Sequence, residues 1–317
     1  MIIMKNLFIC LTPLQSLIAQ SLIRKTAPTP ADLLMICYAE TDNAKFRHYY
    51  QETAQLCQYA QFIRIPQNTW LREITLPFIT KNLSKQYDTI YAASIDNPNV
   101  QYPLSHLSFK KLETFDDGTA NLYPDSILYQ NQKYGKKSKI IRKLQGICYT
   151  TEDLRKLSSA HHTLYPTQKN IVSPTIALKL WQNSAFLSDS GSLKTQKILL
   201  GQPLFDETAD NISLFQSLLQ CTQADAYFPH PRESYRLLNA NYIDTPLIFE
   251  DYLLKRIQQE PHTKFHIYHV ASTAALNVVG FPHTQIHAIR PPHALFQRES
   301  FNYLYDLMAK MNIEIQT

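Results

Sequence analysis

The run Asn6-Leu7-Phe8-Ile9-Cys10-Leu11 is apolar at nearly every position and stops at Thr12-Pro13. A strand wet on one side alternates apolar with polar residues. An unbroken run therefore implies a strand covered on both faces, as in a parallel sheet flanked by helices. Leu14, Leu17, Ile18 and Leu22 then recur at helical spacing, with Pro13 in the first turn, where a missing N–H is harmless. Strands predicted at 32–38, 62–66, 89–93 and 112–115, and helices over roughly 43–58 and 71–83, continue the alternation. From about 123 to 195 the pattern loosens, with helical stretches near 151–158 and 175–180 and polar loops such as Ser188-Asp189-Ser190-Gly191-Ser192. It returns with strands at 197–201, 225–229, 264–270 and 284–289 and helices at 209–221, 249–259 and 273–278, and it ends in a helical pattern over 296–311. Such alternation predicts an α/β protein of two Rossmann-like domains. The expected division is a first domain over 1–155, an inter-domain region over 156–195, a second domain over 196–295, and a C-terminal helix over 296–317 able to return to the first domain.

A chain of 317 residues is long enough for two such cores. A net charge of +5 suits anionic ligands or an anionic membrane face and falls short of a dedicated nucleic-acid binder. Six glycines make a glycine-rich phosphate loop a poor expectation. The five cysteines are odd in number and none stands in Cys-x-x-Cys, which fits free thiols in a reducing cytoplasm; no zinc-ligand spacing occurs. The N-terminal apolar run is too short for a membrane span and lacks a cleavage site, so the expectation is a soluble chain. Lysines and arginines crowd 133–143 (Lys133, Lys136, Lys137, Lys139, Arg142, Lys143); this run is either a solvated face or a rest for anionic lipid or a phosphorylated acceptor.

Polar groups that could do chemistry follow the second set of apolar runs, where an open α/β sheet delivers side chains to a ligand. His230 lies between Pro229 and Pro231, which stiffen the segment and aim the imidazole; it could donate a proton to an anionic leaving group, or be an ordinary loop histidine. Ser272-Thr273 opens a helix and offers hydroxyls and free amides as a phosphate seat, or serves as a plain N-cap. Glu250-Asp251 opens another helix, where carboxylates are favoured by the dipole anyway. Asp206, just beyond Gly201-Gln202-Pro203, could take a proton from an acceptor hydroxyl; Asp116-Asp117-Gly118 at a strand end is the rival base, or simply a tight turn. No Asp-x-Asp of the metal-binding kind stands where a metal-dependent sugar transferase would put one.

In order and spacing, these stretches resemble glycosyltransferase family 52, the bacterial lipooligosaccharide sialyltransferases. The residues concerned are Thr114-Phe115-Asp116-Asp117-Gly118-Thr119, Ile198-Leu199-Leu200-Gly201 with Pro203, Pro229-His230-Pro231-Arg232, Ile248-Phe249-Glu250-Asp251-Tyr252, Pro261-His262-Thr263, and Ser272 before Ala274-Ala275-Leu276. Leu11-Thr12-Pro13-Leu14-Gln15 looks like the family's first strand-to-helix loop. The resemblance implies two Rossmann-like domains facing across a cleft (the GT-B type), with the first domain on the acceptor side and the second binding the nucleotide sugar. It implies inverting transfer of sialic acid from CMP-sialic acid to a terminal galactose of a lipooligosaccharide-type glycan, α-2,3 linked, without metal or cofactor. His230 would be the general acid and Asp206 the general base, with Gln15, Asp117, Gly201, Pro231, Glu250, Ser272 and Thr273 binding substrate. One departure stands out: the family pattern has its aspartate directly after the proline, whereas here Leu204-Phe205 intervene, which keeps Asp117 in play as the base. The expected setting is the cytoplasm, peripheral on the inner face of the inner membrane, with a homodimer an admissible state and no nucleic-acid partner. Alternatives are a related transferase using another nucleotide sugar, such as an α-glucosyltransferase, or a non-catalytic protein binding an anionic glycan at the basic run.

Overall fold

A computed structural model describes residues 5–66, 75–181 and 194–317. The chain divides into two compact units, Met1–Leu180 and Trp181–Thr317.

In the first unit the opening apolar run forms β1 (Asn6–Cys10), every residue of it buried. Its side chains alternate between two cores. Leu7 and Ile9 pack with Leu34, Ile36, Ile90 and Ala92 on one face; Phe8 and Cys10 pack with Leu33, Met35, Cys37 and Tyr91 on the other. Each fully buried aliphatic side chain contributes about 1.5–3 kcal/mol, so two filled faces explain why these strands carry no polar stripe. Around β1 the sheet is wholly parallel: β2 (Ala31–Tyr38) and β3 (Tyr59–Ile65) lie to one side, and β4 (Gln86–Ala92), β5 (Ser108–Phe115), β6 (Ser158–Thr163) and β7 (Thr175–Ala177) to the other, in the order β3-β2-β1-β4-β5-β6-β7. The first six follow the doubly wound order 3-2-1-4-5-6, whose direction reverses between β1 and β4. Helix α1 (Pro13–Thr26) starts as its sequence predicts, with Thr12 accepting from the Gln15 N–H at 3.2 Å and Pro13 in the first turn. Helix α2 (Ala44–Ala54) is capped by Asn43. Of the helix predicted over 71–83, positions 71–74 lie outside the described residues, and the backbone is helical over 75–79 (α3).

Several sequence expectations fail here for identifiable reasons. Helix α4 (Pro98–His106) lies where the sequence predicts no helix; Pro98 sits harmlessly at its start and Asn97 caps it. The stretch 175–180, predicted helical, forms strand β7 instead: β6 presents an open edge, and Thr175–Ala177 pairs with His161–Thr163. Strand β6 escapes notice because Ser158-Ser159-Ala160-His161-His162-Thr163 is polar, yet all of it but Ser159 is buried. The cost of burial is offset by hydrogen bonds, His161 to Thr114 at 2.8 Å and Asp116 at 3.0 Å, and His162 to Glu113 at 2.6 Å. Because β6 and β7 complete the first sheet, the first unit runs on to Leu180 rather than ending at 155. The basic run becomes helix α5 (Lys136–Leu144), followed by α6 (Thr151–Leu157) with a Thr150–Asp153 capping box.

The second unit is a five-stranded parallel sheet in the order β12-β11-β10-β8-β9, from β8 (Lys194–Leu200), β9 (Ala226–Phe228), β10 (Thr263–His269), β11 (Thr284–Ile289) and β12 (Glu314–Gln316). Counted within the unit this is 2-1-3-4-5 read from the other edge, the flavodoxin-like order, and its reversal lies between β8 and β10. Helices α7 (Thr208–Thr222), α8 (Phe249–Gln259) and α9 (Thr273–Asn277) connect the strands. The C-terminal helix α10 (Glu299–Lys310) leads into β12, which pairs with β11, and Tyr305 donates to the Ile289 carbonyl at 3.0 Å; the structure groups this segment with the second unit. The polar stretch 188–192 and Met1-Ile2-Ile3-Met4 lie outside the described residues. Among the described residues no helix is long and apolar enough to cross a membrane.

Candidate active site

Because β10, β8 and β9 are adjacent and parallel, the loops that leave their C-terminal ends emerge side by side. They carry Gly201, the Pro229-His230-Pro231 segment and Ala271-Ser272-Thr273, so three separated motifs of the sequence meet at the switch point of one sheet. Gln202, which sequence reasoning passed over, ties two of these loops together: its side chain donates to the Ala271 carbonyl at 2.9 Å and accepts from the Ala271 N–H at 3.1 Å. Gly201 needs its missing side chain. A β-carbon there would overlap the hydroxyl and ring of Tyr227, whose Cζ would lie at 2.7 Å, and the Glu233 carboxylate. Tyr227 is fully buried and cannot give way. We expect Gly201→Ala to lower the melting temperature, the overpacking costing about 1–3 kcal/mol; an unshifted thermal melt would show that the Tyr227–Glu233 packing yields freely.

Glu233 closes the His230 turn. Its N–H donates to the His230 carbonyl at 2.9 Å, while its carboxylate accepts from the Tyr227 hydroxyl at 2.8 Å and the His230 N–H at 3.4 Å. Burial pushes this carboxyl up to about 7, against the hydrogen bonds that lower it. His230 is half-buried as a residue, and burial of its ring pushes the imidazolium down to about 3, with the Arg232 guanidinium adding to the shift. Its Nδ1 accepts from the Arg232 N–H at 3.1 Å. A neutral imidazole with Nδ1 so occupied carries its proton on Nε2, so the ring presents an N–H donor.

Ser272 is buried and stands at the N-cap of α9, but its hydroxyl makes no capping bond there. Its N–H instead donates to His269 Nδ1 at 3.1 Å. Glu250, in the first turn of α8, is buried; burial pushes its carboxyl up to about 7, and Asn277 at the far end of α9 donates to it at 2.7 Å. Its neighbour Asp251 accepts from the Trp181 indole at 2.8 Å, which separates the two carboxylates into an anchored one and an enclosed one. Asp206 sits on the loop between β8 and α7. Asn211 pins that loop, accepting from the N–H groups of Leu204 at 2.7 Å and Phe205 at 3.1 Å and donating to the carbonyls of Phe205 at 2.7 Å and Glu207 at 3.0 Å. Phe205 packs edge-on against His293 and Phe296. Leu204 and Phe205 are thus held in place on this loop, while Asp206 beside them is exposed.

The first unit has its own cluster at its own switch point. Gln15, fully buried, accepts from the Leu11 N–H at 2.6 Å and donates to Ser94 Oγ at 2.9 Å and to Asp117 Oδ1; Ser94 Oγ donates to Asp117 Oδ2 at 2.7 Å. Ser94 adopts φ 49°, in the left-handed region a serine seldom enters, to face these partners. The two aspartates of Asp116-Asp117 part company: Asp116 is enclosed by His161, Thr163 and the Leu164 N–H, whereas Asp117 is half-buried. Among the described residues no group of three or more His, Cys, Asp or Glu is arranged to hold a metal ion.

Residues 31–293 match the model of glycosyltransferase family 52. The chain belongs to glycosyltransferase family 52. As a member of that family it is a glycosyltransferase. It is 37% identical over 277 residues to a CMP-N-acetylneuraminate:beta-galactoside alpha-2,3-sialyltransferase of Pasteurella multocida (strain Pm70), covering 86% of this chain and 87% of that protein. It is 33% identical over 303 residues to an N-acetyllactosaminide alpha-2,3-sialyltransferase of Haemophilus influenzae, covering 93% and 96%. Among solved structures it is similar to Acinetobacter baumannii MurG, with a TM-score of 0.44 at 10% identity over 98% of this chain and 85% of that one. Of the expected site residues of this family 52 chain, Gly201, Asp206, His230, Pro231, Glu250, Ser272 and Thr273 lie on the second unit and Gln15 and Asp117 on the first.

Proposed function

We propose that this enzyme transfers sialic acid from CMP-sialic acid to the 3-hydroxyl of a terminal galactose, with inversion and without a metal. The observation that carries this reading is the turn at His230, whose engaged Nδ1 leaves Nε2–H as a fixed donor beside the loops of β8 and β10. In the reaction the acceptor hydroxyl attacks the anomeric carbon as the bond from that carbon to the phosphate oxygen breaks. Negative charge grows on the departing CMP. His230 and the Ser272 hydroxyl, with Thr273 beside it, meet that charge, and donors already in position favour the transition state over the ground state. The phosphate's own charge draws the imidazole pKa upward on binding and readies a proton for the leaving group; the second proton then sits on Nδ1 and replaces the bond from the Arg232 N–H. Asp206 takes the proton of the galactose hydroxyl, and Gln15 and Asp117 are the substrate-binding residues of the first unit. Glu250 receives the ribose hydroxyls. It is joined through Asn277 to the far end of α9, about 7 Å of helix from Ser272, of the order of the spacing between a ribose diol and its phosphate. We further propose a lipooligosaccharide-type acceptor and a peripheral position on the inner face of the inner membrane.

Mass analysis after incubation with CMP-sialic acid and lactose tests the reading, with UDP- and GDP-sugars as competitors. Product from a UDP- or GDP-sugar and none from CMP-sialic acid would overturn it. The raised Glu250 carboxyl adds a prediction with a definite sign. Its pKa of about 7 means the neutral form dominates below that pH, whereas ribose hydroxyls donate best to the ionised form. CMP affinity therefore rises as pH increases through about 7, up to about tenfold per unit, and levels off above. Glu250→Gln is expected to remove that part of the pH dependence. Calorimetric titration of both proteins on either side of pH 7 checks this, and parallel profiles would take Glu250 out of the ribose site.

A further inference from the structure

Helix α5 (Lys136–Leu144) is reversed in polarity. Its inward residue is Arg142, buried, donating to Gln101 Oε1 at 2.7 Å and to the Tyr149 carbonyl at 2.6 Å, with its guanidinium 4.3 Å from the Tyr134 ring centre. Ile140 and Leu144 each stand two positions from Arg142, about 160° away around a helix of 3.6 residues per turn. They point outward, and the side chains are 60% and 83% exposed. Lys136, Lys137 and Lys143 fall within about 80° of that outward direction. All three are exposed, as are Lys133 and Lys139. The helix contains no acidic residue, and among the described residues none of these lysines has a carboxylate partner. Beside the helix, Tyr134, Lys139, Arg142 and Lys143 line a recess with three cationic side chains.

We propose that α5 is the element that seats the first unit on an anionic phospholipid surface. The apolar pair enters the headgroup boundary while the lysines meet lipid phosphates, the arrangement of an interfacial amphipathic helix. This deepens the membrane placement proposed above and rests on that placement alone, not on the sugar chemistry. Charge decides the occupant. A second copy meeting this face about a two-fold axis would set lysines against lysines, and a nucleic acid would gain nothing from Ile140 and Leu144.

Vesicle sedimentation tests the proposal on the full chain, with phosphatidylglycerol–phosphatidylcholine vesicles against phosphatidylcholine alone. Binding is expected on the anionic vesicles, about tenfold or more weaker on the neutral ones, and weakened by salt. Ile140→Ser/Leu144→Ser and, separately, Lys136→Glu/Lys137→Glu should each lower binding about tenfold or more. Both double variants should keep the native circular dichroism and full transfer to soluble lactose. No binding by the native protein, equal binding to neutral vesicles, or binding untouched by both variants overturns the proposal. So does a dimer, seen by light scattering, that Ile140→Ser/Leu144→Ser disperses, since a second copy would then cover the helix. Transfer to lactose is read independently, so failure of the sialyltransferase reading and failure of the docking reading are distinguishable.

Discussion

His230→Ala is expected to lower turnover by about 10²–10⁴-fold, the usual worth of a positioned acid or base, while the protein stays folded. The loss should be in kcat more than in donor KM, because the imidazole's interaction grows as charge develops on the phosphate. Stability should hold because the turn is closed by other groups: Glu233 to the backbone of His230, and Tyr227 to Glu233. The pH profile carries a second signature. In the free enzyme the imidazole is neutral down to about 3. Bound donor raises that value, so the native kcat should fall as pH rises through the new pKa, and the variant should lack that limb. Steady-state kinetics with circular dichroism of the same samples decides the matter. A folded variant with native turnover would remove His230 from the mechanism.

Asp206→Asn is expected to cost a similar 10²–10⁴-fold in kcat, since the amide cannot take the galactose proton. Asp117→Asn should act differently. Both oxygens of Asp117 are already engaged by Gln15 and Ser94, an arrangement for holding a carboxylate still. Its amide variant should therefore raise the acceptor KM about tenfold, the worth of one charged hydrogen bond, with a smaller change in kcat. Asp206 by contrast stands exposed on a loop that Asn211 and Phe205 hold in place. Full transfer by Asp206→Asn together with a collapse in Asp117→Asn would exchange the two roles.

Much of the fold is legible because the strands of a doubly wound sheet are buried on both faces, and unbroken apolar runs such as Asn6–Cys10 announce that directly. The misses share a cause. Strand β6 is polar and is buried only because His161 and His162 find Asp116 and Glu113 on β5 and its following loop. For the same reason the first unit runs on to Leu180, since β6 and β7 lie in or beside the stretch read from sequence as inter-domain. In the site, residues with a motif around them (His230, Glu250, Ser272) are visible in the sequence, whereas Gln202, Glu233, Asn277 and Ser94 are not. Gln202, Asn277 and Ser94 act by hydrogen bonds to residues between 27 and 79 positions away, and no local pattern marks such a partner.

The sequence by itself determined the α/β class, the order along the chain of the strands that are apolar, and the polar residue types that stand at their ends. Periodicity and end-capping are local, so hydrophobic burial and backbone sterics write them into neighbouring residues. Only the tertiary structure decided that β10, β8 and β9 lie side by side, bringing loops near 201, 230 and 272 to one edge. It alone sorted Asp116 from Asp117 and turned Ile140 and Leu144 away from the protein. Strand order and burial depend on contacts between distant segments, which the folded chain fixes by filling both faces of each sheet.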